Sequence, residues 1–486
     1  MKHNFTKILA GLLAVLMIGA VTAACADSKK DSPGKNTEPG ETTETEEFDK
    51  YAYARQKFDE IPKVDYEGAE YTIVAQAAVG SSEKEIWVEE MDAEPINDAV
   101  FTRNLRVNER FNCEITLKPG DVSTITRQAV TSGDETYKLS FPNLVTAGQM
   151  AQQGYFLNYL DMENINITEE WWDQGTAGLK IGNKVYFMNG DINMLDNDVT
   201  FIMLFNKKII DDVNLEEPYQ LVRDGKWTID VFQTMIRDVT RDLNGDSKYD
   251  DNDMYGYVTT GAGPTTFFFG SGLKYVSFDD EGTPYLDVNQ SKIVSLLEKL
   301  ASIFTKDNTT RVPSSFEIGK NMFMSDQVLF YGEVLSYIIN VRAMETPFGV
   351  LPIPKYDEAQ LDYSTFCENN ASTAGIPMMT TDPESVTAVL EGMAIQSYLQ
   401  VTPAYYDISL QRKYTRDDES AEMLDIALAH RIYDVGKVYT ALGLDGIINN
   451  LGIKGSTDFS STFTRSEKSA NKALDKIISA FESFDY

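Results

Sequence analysis

Oxygen-bearing side chains recur at fixed intervals in one stretch of the sequence, from Asp242 to Asp253. The stretch reads D-L-N-G-D-S-K-Y-D-D-N-D, and Lys248 lies at position 7, where calcium loops use a backbone carbonyl. Ser247 replaces the turn glycine of an EF-hand and Asp253 replaces its bidentate glutamate, which indicates a weaker or structural site. We predict calcium here; the alternative is an acidic, solvated turn without metal. The predicted ligands are Asp242, Asn244, Asp246, Lys248, Asp250 and Asp253.

Histidine is too scarce for several common catalytic and zinc sites. The chain has only His3, near the N-terminus, and His430, so a Ser-His-Asp relay or a His-rich zinc site would depend on His430. The G-x-S-x-G elbow and the G-x-x-x-x-G-K-[ST] phosphate loop are both absent from the sequence. Carboxylate pairs are abundant, so counting alone leaves a glycosidase open. We predict that the protein is not an enzyme.

The charge balance argues against nucleic acid as a partner. The formal net charge is −32, and the lysines and arginines form no basic stripe. The 486 residues are too many for one ordinary core and suit two large lobes. Beyond the N-terminal segment, no apolar run approaches the ~20 residues that a membrane-spanning helix needs.

The N-terminal segment has the features of an export signal. A positively charged start precedes an apolar run at 8–21, and Thr22-Ala23-Ala24 stands before Cys25. Residues 1–24 resemble a bacterial lipoprotein signal peptide, which implies lipidation of Cys25. Thr22 departs from the usual leucine, and an ordinary secretory signal is the alternative. Residues 25–50 lack large apolar side chains in their first part and are predicted to be a flexible stalk.

Two further cysteines, Cys113 and Cys367, occur in the mature chain. In an exported protein they could form one disulfide, and two buried free thiols are the alternative.

Alternating strand and helix patterns organise the rest of the chain. A β-branched strand at 71–75, a helix at 96–111 and a strand at 114–118 form a βαβ unit, which implies a parallel sheet. Thr228 is a predicted N-cap, and Trp227 before it is predicted to pack as a hydrophobic staple. The pattern also predicts strands at 184–188, 200–205 and 328–331, a hairpin at 270–287, a helix opening at Trp171-Trp172, a loop at 261–270, and helices at 383–400, 417–442 and 465–483.

Several short motifs follow one another in a fixed order along the mature chain. They are Ile96-Asn97-Asp98-Ala99, Trp171-Trp172-Asp173, Phe205-Asn206-Lys207, Gly319-Lys320, the run at 348–354 and Ala374-Gly375-Ile376-Pro377. In this order and spacing the chain resembles extracellular solute-binding proteins of family 1, the sugar-type binding component of ABC importers, in the form common in clostridia. The resemblance implies an α/β, two-lobed periplasmic-binding-protein-like II fold with a hinge and an inter-lobe ligand cleft. Lobe 1 would span 51–199 plus about 365–400, lobe 2 200–364, and 401–486 would supply C-terminal helices shared between the lobes.

Candidate ligand-binding residues follow from this resemblance and from sugar chemistry. Sugars present apolar C–H faces between hydroxyl groups, so their sites pair aromatic platforms with polar side chains. Tyr331 and Glu333 follow the Gly-Lys-x-Met segment and form the best pair, although Glu333 would serve equally as a surface charge. Trp87 is a candidate sugar platform, and a core or surface tryptophan is the alternative. Trp172 is also a candidate platform, and a core role is its alternative. Gln76 is a candidate polar contact.

We therefore expect an extracellular lipoprotein that captures a mono- or oligosaccharide and delivers it to ABC permease subunits. It would be a monomer, anchored through lipid at the outer face of the cytoplasmic membrane of a Gram-positive bacterium. A binder of peptides or other polar solutes on the same fold is the alternative, and a surface glycosidase is a further one.

Overall fold

Two separate β-sheets, each made from one part of the chain, organise the fold. The computed structural model describes residues 49–76, 82–341, 343–406, 418–439 and 443–484. The signal segment, Cys25 and nearly all of the stalk lie outside these residues. The strands are β1 Ala69–Gln76, β2 Cys113–Gly120, β3 Tyr137–Phe141, β4 Phe201–Asn206, β5 Tyr255–Thr259, β6 Val276–Phe278, β7 Pro284–Leu286, β8 Thr310–Arg311, β9 Val328–Val334, β10 Phe348–Leu351, β11 Thr365–Phe366 and β12 Arg431–Ile432.

Helices fill most of the chain between and after these strands. They are α1 Lys50–Glu60, α2 Ser82–Ile86, α3 Pro95–Phe111, α4 Val122–Ser132, α5 Leu144–Gln152, α6 Gln174–Ala177, α7 Leu195–Asp198, α8 Lys207–Val213, α9 Pro218–Arg223, α10 Ile229–Arg237, α11 Gly263–Gly270, α12 Gln290–Phe304, α13 Phe316–Met324, α14 Ile338–Val341, α15 Pro383–Gln396, α16 Asp418–Ala429, α17 Val435–Val438, α18 Leu444–Lys454 and α19 Phe459–Ser483. A π-helical segment, Ser397–Val401, extends α15, and 3-10 turns occur at Tyr159–Asp161 and Leu335–Tyr337.

The first sheet is parallel, as the βαβ pattern predicts. Its order is β2-β1-β3, with β1 parallel to both neighbours. The second sheet has the order β10-β4-β9-β5-β8; β4 runs antiparallel to β10 and β9, whereas β5 is parallel to β9 and β8. The first sheet draws its strands from residues before 142 and the second from residues between 201 and 351.

Three groups of buried apolar side chains hold these layers together. One surrounds the first sheet and includes Tyr71, Phe111 and α15 residues. Another covers the face of the second sheet that carries Tyr331. The third and largest combines the opposite face of that sheet with α5, α12 and the C-terminal helices α18 and α19. The C-terminal helices therefore share a core with elements from both halves of the sequence.

Helix α10 begins as its sequence predicts. The Thr228 hydroxyl accepts a hydrogen bond from the Val231 amide at 3.4 Å, which satisfies one amide of the first turn. Trp227 is fully buried and packs edge-on against Phe232, four residues beyond the cap, with ring centroids 5.9 Å apart. This contact is a hydrophobic staple.

Several local predictions are wrong, and the helix predicted at 417–442 is one of them, because strand β12 interrupts it. The predicted loop at 261–270 contains helix α11, which is buried on all sides and so shows no amphipathic stripe. The predicted strand at 184–188 has only isolated bridges, for example from Met188 to Ala374. Trp171 and Trp172 precede helix α6, because Asp173 is its N-cap and accepts from the Gly175 amide at 2.7 Å.

The cysteines and helices settle two further points. Cys113 and Cys367 are both buried and free, which agrees with the second of the two alternatives for them. Within the part of the chain that the structure describes, every helix is too short or too polar to span a bilayer.

Candidate functional site

Polar side chains lie together at the carboxyl ends of β1 and β3. β1 ends at Gln76, and the Gln76 carboxamide oxygen accepts a hydrogen bond from the Asn143 side chain at 3.4 Å. Asn143 is the N-cap of α5 and accepts from the Thr146 amide at 2.9 Å, so its position is fixed from two sides. It also forms a bridge with Ser372 from much later in the chain. A ligand-binding role for Gln76 remains a prediction from the sequence.

A short connecting segment, 367–372, joins this region to the second sheet. Cys367 forms a bridge with Thr200, immediately before β4, and Ser372 forms the bridge with Asn143. The Leu335 amide, immediately after β9, donates to the Thr200 carbonyl at 2.9 Å. Five peptide units span at most about 18 Å when extended. The ends of β3 and β9 are therefore connected through the two ends of this short segment.

Glu85 connects helix α2 to two distant segments of the chain, at 194–195 and at 372. Its buried carboxylate accepts hydrogen bonds from the Met194 amide at 2.7 Å, the Leu195 amide at 3.0 Å and the Ser372 hydroxyl. Burial raises the pKa of Glu85 to about 7, although these hydrogen bonds favour the charged form. Residues 194–200 and 367–372 are thus held together beside the end of the first sheet.

A groove of about 250 Å³ opens beside Glu85. Residues between β1 and β2 line most of it, and Ile339 of α14 contributes from the second-sheet side. Its charged lining is mostly negative and consists of Lys84, Glu85, Asp92, Glu94 and Asp198. Trp87 stands between two lining residues in the sequence and is 38% exposed. A role for Trp87 as a sugar platform remains a prediction. Its partly exposed ring suits that role.

Tyr331 is a core residue in this structure, contrary to its predicted role as a platform. It is 1% exposed and stacks on Phe323 with ring centroids 5.5 Å apart. Tyr331 lies in the middle of β9, opposite Leu204 of β4, and its ring belongs to the buried apolar cluster on that face of the sheet. Neither face of the ring is open to a ligand.

Glu333, the other member of the predicted pair, lies at the end of β9 and is 3% exposed. Its carboxylate accepts a hydrogen bond from its own neighbour, the Val334 amide, at 3.2 Å. Burial, together with the negative charge of Glu368, raises the pKa of Glu333 to about 8. The alternative interpretation of Glu333 as a surface charge is therefore wrong.

A second aromatic pair, from the start of α13 and the turn after β9, is less buried than Tyr331. Tyr337 and Phe316 stack with centroids 3.9 Å apart and planes 21° apart, and both are half-buried. Burial and the negative charge of Glu333 raise the pKa of Tyr337. Neither aromatic residue is among the sequence-based candidates. Tyr337 is six residues after Tyr331, and its position after the strand was the available signal.

Trp172 is likewise a core residue, and its predicted role as a platform is wrong for this structure. The indole N–H groups of Trp171 and Trp172 donate to the two oxygens of the Glu391 carboxylate, at 2.8 and 3.0 Å. Trp172 is 1% exposed and packs edge-on against Tyr159. Burial raises the pKa of Glu391 to about 8, against the effect of the two donated hydrogen bonds.

Arg431 connects its own strand to two other segments of the chain, at Asp173 and at Asp196-Asn197. Its guanidinium contacts the Asp173 carboxylate at 2.6 Å, the Asp196 carboxylate at 3.3 Å and the Asn197 side-chain oxygen at 2.6 Å. Arg431 belongs to β12, which pairs in parallel with β11 just before the connecting segment. Burial raises the pKa of Asp196 to about 7 although Arg431 opposes the shift, so Asp173 at the shorter distance is the main ionic partner of Arg431.

The loop 242–253 folds around its own amides. Asp242 accepts from the Gly245 and Ser247 amides at 2.6 and 2.8 Å, and the buried Asp253 accepts from the Leu243 and Asp250 amides at 3.0 and 2.9 Å. Among the described residues, which include this whole loop, His, Cys, Asp and Glu side chains form no group of three or more placed to hold a metal ion. As folded here, the predicted carboxylate ligands do not converge, and calcium binding remains a prediction from the sequence.

Calcium binding by this loop predicts a melting temperature that depends on the cation. We expect chelator to lower the melting temperature of the protein by several degrees, because a ligand that binds only the native state stabilises it. The double substitution Asp242→Ala with Asp246→Ala should abolish this difference. Asp279→Ala, in another exposed acidic turn, is the matched control and should keep it. A wild-type melt that is unchanged by chelator contradicts the prediction.

Comparison with solved structures identifies the fold. The chain is similar to an ABC substrate-binding protein from Listeria monocytogenes in complex with cycloalternan, with 13% identity, a TM-score of 0.52, and coverage of 85% of this chain and 99% of that one. It is similar to a cyclo/maltodextrin-binding protein complexed with maltotetraose, with 13% identity, a TM-score of 0.55, and coverage of 86% and 98%. It is also similar to a sugar transporter from Rhizobium etli in an open conformation, with 12% identity, a TM-score of 0.53, and coverage of 85% and 100%.

These likenesses concern the fold. The chain has the two-lobed α/β architecture of the periplasmic-binding-protein-like class, as its sequence predicts. No family model matches the sequence, and no curated protein matches it.

Proposed function

We propose that this protein captures a carbohydrate outside the cell and delivers it to the permease of an ABC importer. The observation that carries the proposal is the half-buried Phe316–Tyr337 stack, in which Tyr337 follows strand β9 by three residues. An aromatic face packs against the C–H face of a sugar, and a neighbouring carboxylate accepts hydrogen bonds from its hydroxyl groups. The solved structures with cycloalternan and maltotetraose, which share this fold, support the same class of ligand.

Capture would proceed by closure of the two lobes around the ligand. The two sheets are joined through 194–200 and 367–372, which are themselves bound together by Glu85. A ligand that contacts residues on both sides favours the closed state, since only that state makes both sets of contacts. Trp87 and Gln76 on one side, and Tyr337 and Glu333 on the other, are the proposed contacts.

The proposed setting is the outer face of the cytoplasmic membrane of a Gram-positive bacterium. Lipidation of Cys25 would hold a monomer there on its stalk, close to the permease, without any catalytic role. A peptide or other polar solute on the same fold is the second candidate, and the acidic lining of the groove is the observation that would suit a peptide amine.

A thermal-shift screen tests the proposal. The soluble chain from about residue 48 is melted with mono- and oligosaccharides, with short peptides and with amino acids. Binding to the native state alone raises the melting temperature. A shift with glycans supports the proposal, whereas a shift with peptides alone transfers it to the second candidate. Release of shortened glycans during incubation would contradict the absence of enzymatic activity.

The aromatic stack itself predicts a specific loss of affinity. Tyr337→Ala should weaken the binding of any glycan found in the screen by about tenfold, because the C–H contacts and ring stacking are lost. Isothermal titration gives the dissociation constant. Tyr285→Ala, which removes a ring that is 48% exposed in strand β7, is the matched control. Equal affinities for the Tyr337→Ala variant and the wild type would remove Tyr337 from the site.

A further inference from the structure

Three arginine side chains line a single groove between helices α1 and α3. The groove has a volume of about 440 Å³, and its arginines are Arg55 of α1 and Arg106 and Arg110 of α3. Arg106 and Arg110 are four residues apart, so their side chains leave the same face of α3. The whole chain is strongly acidic, with a formal net charge of −32, so this gathering of basic side chains is a local feature. We call it the arginine groove.

Two of these guanidinium groups keep hydrogen-bond donors without a partner in the part of the chain that the structure describes. Arg110 donates through Nη2 alone, to the backbone carbonyls of Asp59 at 3.2 Å and Ile61 at 2.6 Å, which fixes it against the end of α1. Its Nε and Nη1 groups are left over, and Arg106 forms no hydrogen bond or ion pair with any described residue. The carboxylates of Asp59 and Glu109 also line the groove, and neither forms an ion pair with a described side chain.

A buried glutamine lies in the wall of the arginine groove. Gln396 ends helix α15, is 2% exposed, and has its side-chain oxygen buried without a hydrogen-bond partner among the described residues. An unsatisfied acceptor of this kind is unfavourable, because the oxygen has lost its hydrogen bonds to water. Directly after Gln396 the helix changes to π geometry, a departure that is frequent at functional sites. A ligand with a hydroxyl group would supply the missing donor.

The arginine groove is separate from the groove beside Glu85. Ile96 and Asn97, in the first turn of α3, line the groove beside Glu85. Arg106 is nine residues after Asn97, which corresponds to ~14 Å along the helix axis. The two grooves therefore lie toward opposite ends of α3. A ligand in the arginine groove would be a second one, in addition to the carbohydrate of the proposed function.

We propose that the arginine groove binds a phosphate group that carries a hydroxylated substituent, as in glycerol phosphate. Arg106 and Arg110 donate to the phosphate oxygens, because the planar guanidinium group matches phosphate with paired hydrogen bonds. A hydroxyl group of the substituent donates to the Gln396 oxygen. This inference goes beyond carbohydrate capture and does not depend on it.

The test measures binding to the soluble chain from about residue 48 in two arms, because glycerol phosphate occurs both as a free molecule and as a lipid headgroup. Isothermal titration uses glycerol 3-phosphate, inorganic phosphate and glycerol. Sedimentation with vesicles compares phosphatidylglycerol mixed into phosphatidylcholine with phosphatidylcholine alone. We expect glycerol 3-phosphate to bind about tenfold more tightly than inorganic phosphate, through the added hydrogen bond to Gln396, and glycerol not to bind.

Substitutions assign the binding to the groove. Arg106→Gln should weaken the binding of glycerol 3-phosphate roughly ten- to hundredfold, the range for a hydrogen bond between charged groups, and Arg106→Lys should recover part of the loss. Gln396→Met, which is similar in size, should remove the preference over inorganic phosphate and keep phosphate binding. Arg237→Gln, at an exposed position at the end of α10, is the matched control and should change nothing. Circular dichroism and the melting temperature establish that each variant is folded.

Each outcome bears on the proposal. Binding of free glycerol 3-phosphate that Arg106→Gln abolishes supports it with a soluble ligand, and binding to phosphatidylglycerol vesicles alone, lost in the same variant, supports it with a lipid headgroup. The absence of binding in both arms overturns it. Binding that survives Arg106→Gln also overturns it and indicates an adventitious ion only. Equal affinities for glycerol 3-phosphate and inorganic phosphate, or a preference that Gln396→Met retains, overturn the assignment of a hydroxylated ligand.

Discussion

Substitution of Arg431 by methionine is expected to reduce the free energy of unfolding by about 3–5 kcal/mol, the cost of removing one partner from a buried ion pair. The change leaves the mostly buried Asp173 carboxylate with uncharged donors alone, the Tyr433 hydroxyl at 3.1 Å and the Gly175 amide at 2.7 Å. It also removes the contacts to Asp196 and Asn197, so two chain segments lose a common partner. The apolar methionine side chain keeps much of the packing, and the loss therefore reports on charge and hydrogen bonding.

Urea denaturation followed by circular dichroism gives this difference in unfolding free energy. Arg431→Lys should recover part of the loss, because the charge returns but the fork that reaches three groups does not. Arg223→Met is the matched control: Arg223 pairs with Glu419 and Glu422 at the surface, where solvent screens the interaction. Equal effects of Arg431→Met and Arg223→Met would contradict a special role for the buried network.

Lowering the pH from about 8.5 to about 5 should stabilise the folded protein, whereas the stability of many proteins changes little over this range. Burial raises the pKa values of Glu391 and Glu333 to about 8, and those of Glu85, Asp191 and Asp196 to about 7. In the unfolded chain such carboxyl groups titrate near pH ~4. A raised folded-state pKa contributes stability that is complete below pH ~4 and is lost as the pH rises through the folded-state value.

The pH window follows from these values. We expect the melting temperature to rise steadily as the pH is lowered from about 8.5 to about 5, with most of the change between pH 8 and 6. One pH unit of displacement corresponds to ~1.4 kcal/mol, so a single group such as Glu391 contributes on the order of several kcal/mol across the full range. The high net negative charge of the chain, −32, adds repulsion in the same direction.

Differential scanning calorimetry across this range provides the measurement. Glu333→Gln should flatten the pH dependence, because one of the groups with the most displaced pKa no longer titrates. Glu358→Gln should leave the curve unchanged. A melting temperature that is constant, or that falls on acidification from pH 8 to 6, would contradict the idea that these carboxyl groups are buried as the structure places them.

Periodic patterns in the sequence were sufficient to predict much of the scaffold. The strand at 71–75, the helix at 96–111 and the strand at 114–118 correspond to β1, α3 and β2, with ends within two residues. Thr228 and Trp227 behave as predicted because a cap and a staple depend on residues close in sequence. A helix cap and a hydrophobic staple can therefore be predicted without knowledge of the fold.

The candidate site was harder to predict because its members depend on distant partners. Whether Trp172 is a platform or a core residue is decided by Glu391, 219 residues later in the chain. Tyr331 and Tyr337 both follow the same motif, and only the packing against that face of the sheet, by Phe323 among others, shows that the ring of Tyr331 is covered. Arg431 has no local signal at all, since Asp173 lies 258 residues earlier.

The unequal burial of the tryptophans gives the protein a natural optical probe. The chain contains four tryptophans; Trp171, Trp172 and Trp227 are almost fully enclosed, whereas Trp87 is 38% exposed next to the groove. Acrylamide in solution should therefore quench mainly the emission of Trp87. Closure of the lobes over a ligand would shield that one indole, so intrinsic fluorescence would follow capture in real time without any attached dye.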